Sequence, residues 1–392
     1  MGPLLRQCRH RDGHDGDGSL PHLLRRGAGH PRPAARNLWT GLVVGAAPVV
    51  AALMGPVWGA MSDRTGRKVM VLRALAAIVV FVGIMGLAPN VWVLLAMRIL
   101  QGFFSGYIPT AITFASVLAP EAEQGRIASR IQSAMPAGMV GGYLIGGFMS
   151  EAGLIRYIFP LCAGLALLGV IAVALFTHEP EVEEPRRTKE RVPFFLAMRQ
   201  VLGLPSLAAL LGAIAMVRFL VSTVDPVYAR YVEEVGGTKD VAGMVMSAQA
   251  LTAVVFMQLW GHAADRIGPS LTFVLSGAGT ALSFWWQGHA GGIPELFVAR
   301  CTAGACLSGV FPAAYILAGR EAPSALRGAA MGVVFMIVAL SHALGSLAGG
   351  GLLNLLGFRG LFVVISSVVL TLSGVGLILR RRHGLRGARA RS

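Results

Sequence analysis

Eleven apolar stretches of roughly 20 residues, separated by short polar or basic segments, leave this chain only one kind of medium in which to fold. They cover residues 38–61, 69–88, 91–117, 127–149, 157–176, 206–228, 241–261, 270–287, 296–318, 328–353 and 360–379. A helix of about 20 residues rises 1.5 Å per residue and so crosses the ~30 Å hydrocarbon core of a bilayer. Lipid offers no hydrogen bonds, so each crossing backbone must satisfy its own amides, and the fold class that follows is an all-α polytopic helix bundle. Composition agrees: 55% of the residues are hydrophobic and 14% charged, against about 25% charged in a soluble protein. A cytosolic enzyme, a secreted disulfide scaffold and a soluble nucleic-acid binder are excluded, despite a formal charge of +15. The 51 glycines suit helices that pack closely in a membrane.

The basic residues set the orientation. They cluster at Arg64, Arg67 and Lys68, at Arg126 and Arg130, over residues 186–199, at Arg320 and Arg327, and over residues 380–391. Alternate threading puts all of these on one side and leaves Arg156, Arg230, Lys239 and Arg359 on the other, so the basic side and the C-terminus are expected in the cytoplasm of a multi-pass plasma (inner) membrane protein. The expected organisation is a polar leader over 1–37, a five-span bundle over 38–177, a solvated linker over 178–203, a six-helix bundle over 204–379 and a basic tail over 380–392. The linker has alternating acid and base blocks interrupted by proline.

An internal repeat relates the two bundles. Gly59, Asp63, Arg64, Gly66, Arg98 and Gly102 stand opposite Gly261, Asp265, Arg266, Gly268, Arg300 and Gly304, each pair 202 positions apart. Pro109 with Pro312 and Pro120 with Pro323 continue the match with one inserted residue. Related helices cross in the same direction, so the repeat is parallel, about an axis along the membrane normal, and its halves face each other across a central cavity.

On these residues the chain resembles a known family. "GAMSDRTGRK" at Gly59–Lys68 is similar to the signature loop of the major facilitator superfamily, and "RILQG" at Arg98–Gly102 to its fourth-helix Arg motif. With "GHAADRIG" in the second half and the Gly-rich "GMVGGYLIGG", the resemblance is to the drug:proton antiporters that confer multidrug resistance. It implies that Gly59, Asp63, Arg64, Gly66, Arg67 and Lys68 form a gating latch, echoed by Gly261, Asp265, Arg266 and Gly268, and that Arg98 takes part in proton coupling. Pro269 and Ser270 replace the basic pair in the second copy, which weakens that latch. Gly138, Gly142 and Gly146 form a stripe for close helix packing, although Tyr143 stands where the branch has a proline.

Charges inside the bilayer point to mechanism, because Arg or Asp at its centre costs about 2.5–3.5 kcal/mol on insertion scales. Arg98 either couples protons or holds a structural hydrogen bond, with Gln101 one turn along its face. Arg218 and Asp225 share a face but are about 10 Å apart along the axis, too far for a direct pair. Asp225 is the only acid in any expected span. It is a candidate for the titrating group of a proton-driven carrier; the other reading is that Pro226 ends the helix and Asp225 meets water. Arg300, Tyr228 and Gln249 complete the candidate coupling and cavity residues, with helix packing the alternative for the last two.

No catalytic residues, cofactor or metal site are read from the sequence: there is no phosphate-binding G-x-x-x-x-G-K-[ST] loop, no Ser-His-Asp set and no paired Cys motif. The expected function is therefore not enzymatic. It is secondary active export of drug-like or amphipathic small molecules by alternating access, coupled to protons, by a monomer whose partners are substrate, protons and membrane lipid. The alternatives are a truncated, non-transporting protein of the same fold and a metabolite or sugar facilitator.

The 202-residue offset puts the counterpart of 206–228 near 4–26, where Arg and Asp forbid a crossing. The leader also carries seven Arg that eleven spans would leave outside. The expectation is that residues 1–37 are an out-of-frame or wrongly started reading in place of a first transmembrane helix. Sequencing the DNA upstream of the Leu38 codon checks this: another frame there should encode about 20 consecutive apolar residues.

Overall fold

A computed structural model of the chain describes residues 33–105, 114, 124–178, 194–321 and 327–374, and among them regular structure is helical throughout. The helices are α1 (Pro33–Thr65), α2 (Arg67–Met85), α3 (Val91–Phe103), α4 (Gln124–Glu151), α5 (Ile155–Phe176), α6 (Phe194–Leu202), α7 (Pro205–Ser222), α8 (Tyr228–Glu234), α9 (Lys239–Ile267), α10 (Pro269–Gln287), α11 (Ile293–Glu321) and α12 (Arg327–Ser373). A 3-10 turn over Asp225–Val227 separates α7 from α8. Seven segments among the described residues are long and apolar enough to cross a membrane. α12 merges the last two expected spans across Gly357, whose φ of 64° interrupts the helical path. α6 differs from expectation: the end of the linker forms a short helix that buries Val201.

Local chemistry explains the boundaries. Asn90 caps α3 by accepting from the Val93 amide at 3.0 Å. Pro205 and Pro269 stand in the first turns of α7 and α10, where the missing N–H costs nothing. Gly66 and Gly268 join successive helices at φ of 96° and 86°, a region that a side chain at Cβ would make strained.

The repeat is visible as paired contacts. Trp58 Nε1 donates to the Phe103 carbonyl and Trp260 Nε1 to that of Ala305, the same bond shifted by 202. A Cβ on Gly102 would collide with the Ala47 carbonyl, and one on Gly304 with the Gln249 carbonyl, again 202 apart. These bonds and approaches tie α1 to α3 and α9 to α11, so each half is built on the same crossing.

The halves meet along α1 with α12 and along α4 with α9. Gly41 lies against the Leu347 carbonyl and Gly350 against that of Asn37; in the related interface Gly243 lies against the Tyr143 carbonyl and Gly147 against that of Lys239. Hydrogen bonds from Asn37 Nδ2 to Asn354 Oδ1 (2.6 Å), Ser247 Oγ to the Val140 carbonyl (2.9 Å) and the Lys239 amide to Glu151 Oε2 (3.1 Å) reinforce the contacts. All lie toward the end of the bundle opposite the Gly66 and Gly268 turns. Nearer those turns, Gly55 on α1, Gly138 on α4 and Gly261 on α9 have no described atom within 4 Å of an added Cβ. The halves are thus in contact at the end opposite the Gly66 and Gly268 turns.

The apolar core of the second half draws on Leu210 and Ile214 of α7, Phe273 and Phe284 of α10, and Phe362 and Ile365 of α12. A smaller core in the first half joins Val43, Val82, Met85 and Leu94. α5 buries no residue and exposes Leu168 and Phe176, as a lipid-facing helix does. Gly102→Ala and Gly304→Ala should each cost about 1–3 kcal/mol, because a backbone carbonyl cannot yield as a side chain can. Thermal melts of detergent-purified variants check this, with Gly212→Ala, which meets nothing within 4 Å, expected to melt like the parent.

Candidate functional site

Proline at 226 denies α7 the amide it needs to continue, so the helix gives way to the tight turn beginning at Asp225. The break carries the Asp225 carboxylate to Arg300, seven residues past the start of α11. Arg300 Nη2 and Asp225 Oδ1 are 3.6 Å apart, with the Arg side chain 1% exposed and the Asp 33% exposed. The guanidinium carbon lies 3.8 Å above the Tyr228 ring, and Nη1 donates to Gln287 Oε1 at 3.4 Å. Gln287 is itself anchored, donating from Nε2 to the Ser283 carbonyl while its own carbonyl accepts from Tyr231 Oη. A buried cation needs such company: a countercharge, an aromatic face and an amide acceptor together offset its lost hydration. Even so, Arg300 Nε and Tyr228 Oη are buried without a hydrogen-bond partner among the described residues.

A second group adjoins the first. Ser222 Oγ donates to the Arg218 carbonyl at 2.7 Å and lies 2.6 Å from His342 Nδ1 on α12. The Arg218 guanidinium stands 5.3 Å from the Phe311 ring of α11. Asp225 is the partly exposed carboxylate of this cluster.

In the first half, Arg98 Nη1 donates to Gln101 Oε1 at 3.2 Å, the pairing expected from their spacing. Its Nε is buried without a hydrogen-bond partner among the described residues. The position matching Asp225 by the 202 offset lies outside the described residues. Of the expected latch, the side chains of Asp63 and Arg64 also lie outside them, as does the surrounding of Gly59. Lys68 reaches the end of α5, donating to the carbonyls of Ala174 (3.0 Å) and Thr177 (2.5 Å). A cation there meets the negative end of the helix dipole. Asp265 and Arg266 are exposed, and nothing described lies within 4 Å of a Cβ on Gly261.

Among the described residues nothing lies within 4 Å of a Cβ on Gly138, Gly142 or Gly146, and a close approach of α4 to α9 falls on Gly147, a rotation of about 100° further round from Gly146. The related face of α12, Gly345 and Gly349, is pressed against the Phe219 and Thr223 carbonyls of α7. The counterpart of α7 falls before residue 33, outside the described part of the chain. Tyr228 is fully buried rather than open to the cavity, and Gln249 is half-buried on α9, its carbonyl under Gly304. Gln287 and Tyr143 were not anticipated. The only sign of Gln287 was an amide closing an apolar span, and of Tyr143 the departure from the family's proline.

The chain matches the Major Facilitator Superfamily over residues 34–232 and again over 210–391. It is 27% identical over 345 residues to the multidrug resistance protein MdtG of Citrobacter koseri, covering 86% of this chain and 84% of that protein. Identity to the multi-drug resistance efflux pump PmrA of Streptococcus pneumoniae is 25% over 336 residues, 84% of this chain and 83% of the pump. Among solved structures, the nucleoside transporter NupG superposes with a TM-score of 0.75 at 11% identity, covering 88% of this chain and 90% of its own. A D-xylose–proton symporter superposes with a TM-score of 0.71 at 17% identity, covering 88% of each chain.

Removing one member of a buried ion pair strands the other. Asp225→Asn should therefore lower stability by about 3 kcal/mol, and adding Arg300→Leu should restore part of that loss. Thermal melts of the single and double variants check the order: single below double, double at or below the parent.

Proposed function

We propose, from the premise that this chain belongs to the major facilitator superfamily of secondary transporters, that it exports drug-like or amphipathic small molecules in exchange for protons. The efflux names of its relatives support the substrate class, and the half-to-half contacts at one end support alternating access. With the basic loops in the cytoplasm, the closed end is the outer one, and the cavity receives its cargo from the cytoplasm or the inner leaflet. The protein works as a monomer in the plasma membrane and performs no covalent chemistry.

The observation that carries the coupling is the Asp225–Arg300 pair, one partner buried and the other partly exposed to the cavity. A proton arriving at Asp225 removes the countercharge of Arg300 and loosens the turn Asp225–Val227 from α11. Loss of the proton restores the attraction and draws the turn back. Because α7 leads into that turn and α11 carries Arg300, each protonation step changes how two cavity-lining helices sit against each other. Arg98 and Gln101 offer a smaller polar pair in the first half, whose part in the cycle follows the family resemblance rather than its own geometry. The latch at Gly59–Lys68 stabilises one facing state, with Lys68 fixing α2 to the end of α5 on its side of the cavity.

Proteoliposomes with an acidic interior should accumulate dyes from a panel of amphipathic anions and cations, and nigericin should abolish the accumulation by collapsing the gradient. Asp225→Asn should reduce gradient-driven uptake at least tenfold while dye-for-dye exchange persists. Full gradient-driven uptake by Asp225→Asn removes Asp225 from the coupling step, and uptake indifferent to nigericin removes the proton.

A further inference from the structure

We propose that Arg230, Asn37 and Asn354 form the latch of the outer end, a chain of side-chain hydrogen bonds that holds the two halves together there and is broken when they part. The proposal rests on the alternating-access reading above and names the positioning residues on one side of it.

The chain is continuous. Arg230 on α8 donates from Nη1 to Asn37 Oδ1 on α1. Asn37 in turn donates from Nδ2 to Asn354 Oδ1 on α12 at 2.6 Å, and Asn354 donates from Nδ2 to the Ala34 carbonyl at 2.8 Å. The bonds thus pass from the second half to the first, back, and across again, with Asn37 in the middle. A guanidinium at the head makes the first bond charge-assisted, and each bond polarises the next. Glycine brings the partners into register: Gly350, one turn before Asn354 on the same face of α12, lies against the Asn37 backbone carbonyl. Asn37 belongs to the bundle, since α1 begins at Pro33 and the family match at residue 34.

Burial distinguishes a latch from a fixed strut. Asn37 is 6% exposed, and both ends of its amide are satisfied by the second half, so parting the halves takes both partners at once. Arg230 is half-buried and Asn354 exposed. Water at this rim therefore replaces each bond as it is lost, and opening strands no buried polar group.

Placement joins the latch to the Asp225 turn. α8 follows the turn directly; Tyr228 at its start lies under the Arg300 guanidinium, and Arg230, two residues on, reaches Asn37. The turn itself packs against α1 and α12, and a Cβ on Gly349 would stand 3.1 Å from the Pro226 ring. Turn and latch share one seam, so displacing the turn draws Arg230 away from Asn37.

Spin labels at Leu87→Cys and His289→Cys, exposed positions at this end in opposite halves, report how far the halves stand apart. Double electron–electron resonance is measured on the full chain in nanodiscs, with the four native cysteines replaced. Asn37→Ala should raise the ratio of long- to short-distance populations about tenfold, and Arg230→Ala about threefold or more. Arg230→Lys, which keeps a donor, should stay within about twofold of the parent. Adding Arg230→Ala to Asn37→Ala should change nothing further, because the chain runs through Asn37. Arg230→Ala, at a half-buried position, serves where Asn37→Ala does not fold. Separately, Asn37→Cys and Asn354→Cys joined by a short bis-methanethiosulfonate should stop gradient-driven dye uptake, and a reducing agent should restore it. An unchanged ratio in the single variants, effects that add in the double variant, or uptake that persists through the cross-link overturns the latch. A ratio that shifts as expected in a protein that moves no dye upholds the latch and removes export.

Discussion

A guanidinium held inside a bilayer bundle has to be answered by its surroundings, and the second half of this protein is arranged around that requirement. Arg300 is met by a carboxylate from the turn after α7, an amide from the end of α10 and an aromatic face from the start of α8. Three separate elements are thus fixed relative to α11 by one side chain. The helix break at Pro226 makes this possible, since a continuous helix would direct Asp225 and Tyr228 by helical rotation alone. The same break leaves the carboxylate partly exposed. Any change in the charge of this residue would therefore reach several helices at once.

The duplication supplies the frame in which this happens. Bonds and close approaches shifted by 202 positions recur between α1 and α3 and between α9 and α11, so each half keeps its shape by the same means. Among the described residues Arg300 has three kinds of partner and Arg98 has Gln101.

Much of this was legible in the residues, and the physical reason is plain in each case. Helix positions follow from hydropathy, the repeat from a fixed offset, the Arg98–Gln101 bond from helical spacing, and the helix end at Asp225 from proline. The Asp225–Arg300 pair was not, because 75 residues separate its members and sequence spacing gives no distance between helices. Likewise Lys68 finds carbonyls more than 100 residues away at the end of α5. The Gly-rich run on α4 announced a close approach, and among the described residues one falls on Gly147, next to the stripe. Such runs specify that a helix can be approached, while its rotation depends on neighbours that the run does not encode.

The closed end of the cavity is sealed by glycine laid against backbone, at Gly41 and Gly350 on one seam and Gly147 and Gly243 on the other. Parting such a seal means breaking a few side-chain hydrogen bonds, that of Asn37 to Asn354 among them, and sliding two otherwise smooth surfaces apart. It is also a place where any added carbon acts as a wedge. Natural variation at these four positions can therefore bias how long the carrier spends open to each side, and so set its turnover, without altering a single group that meets the cargo.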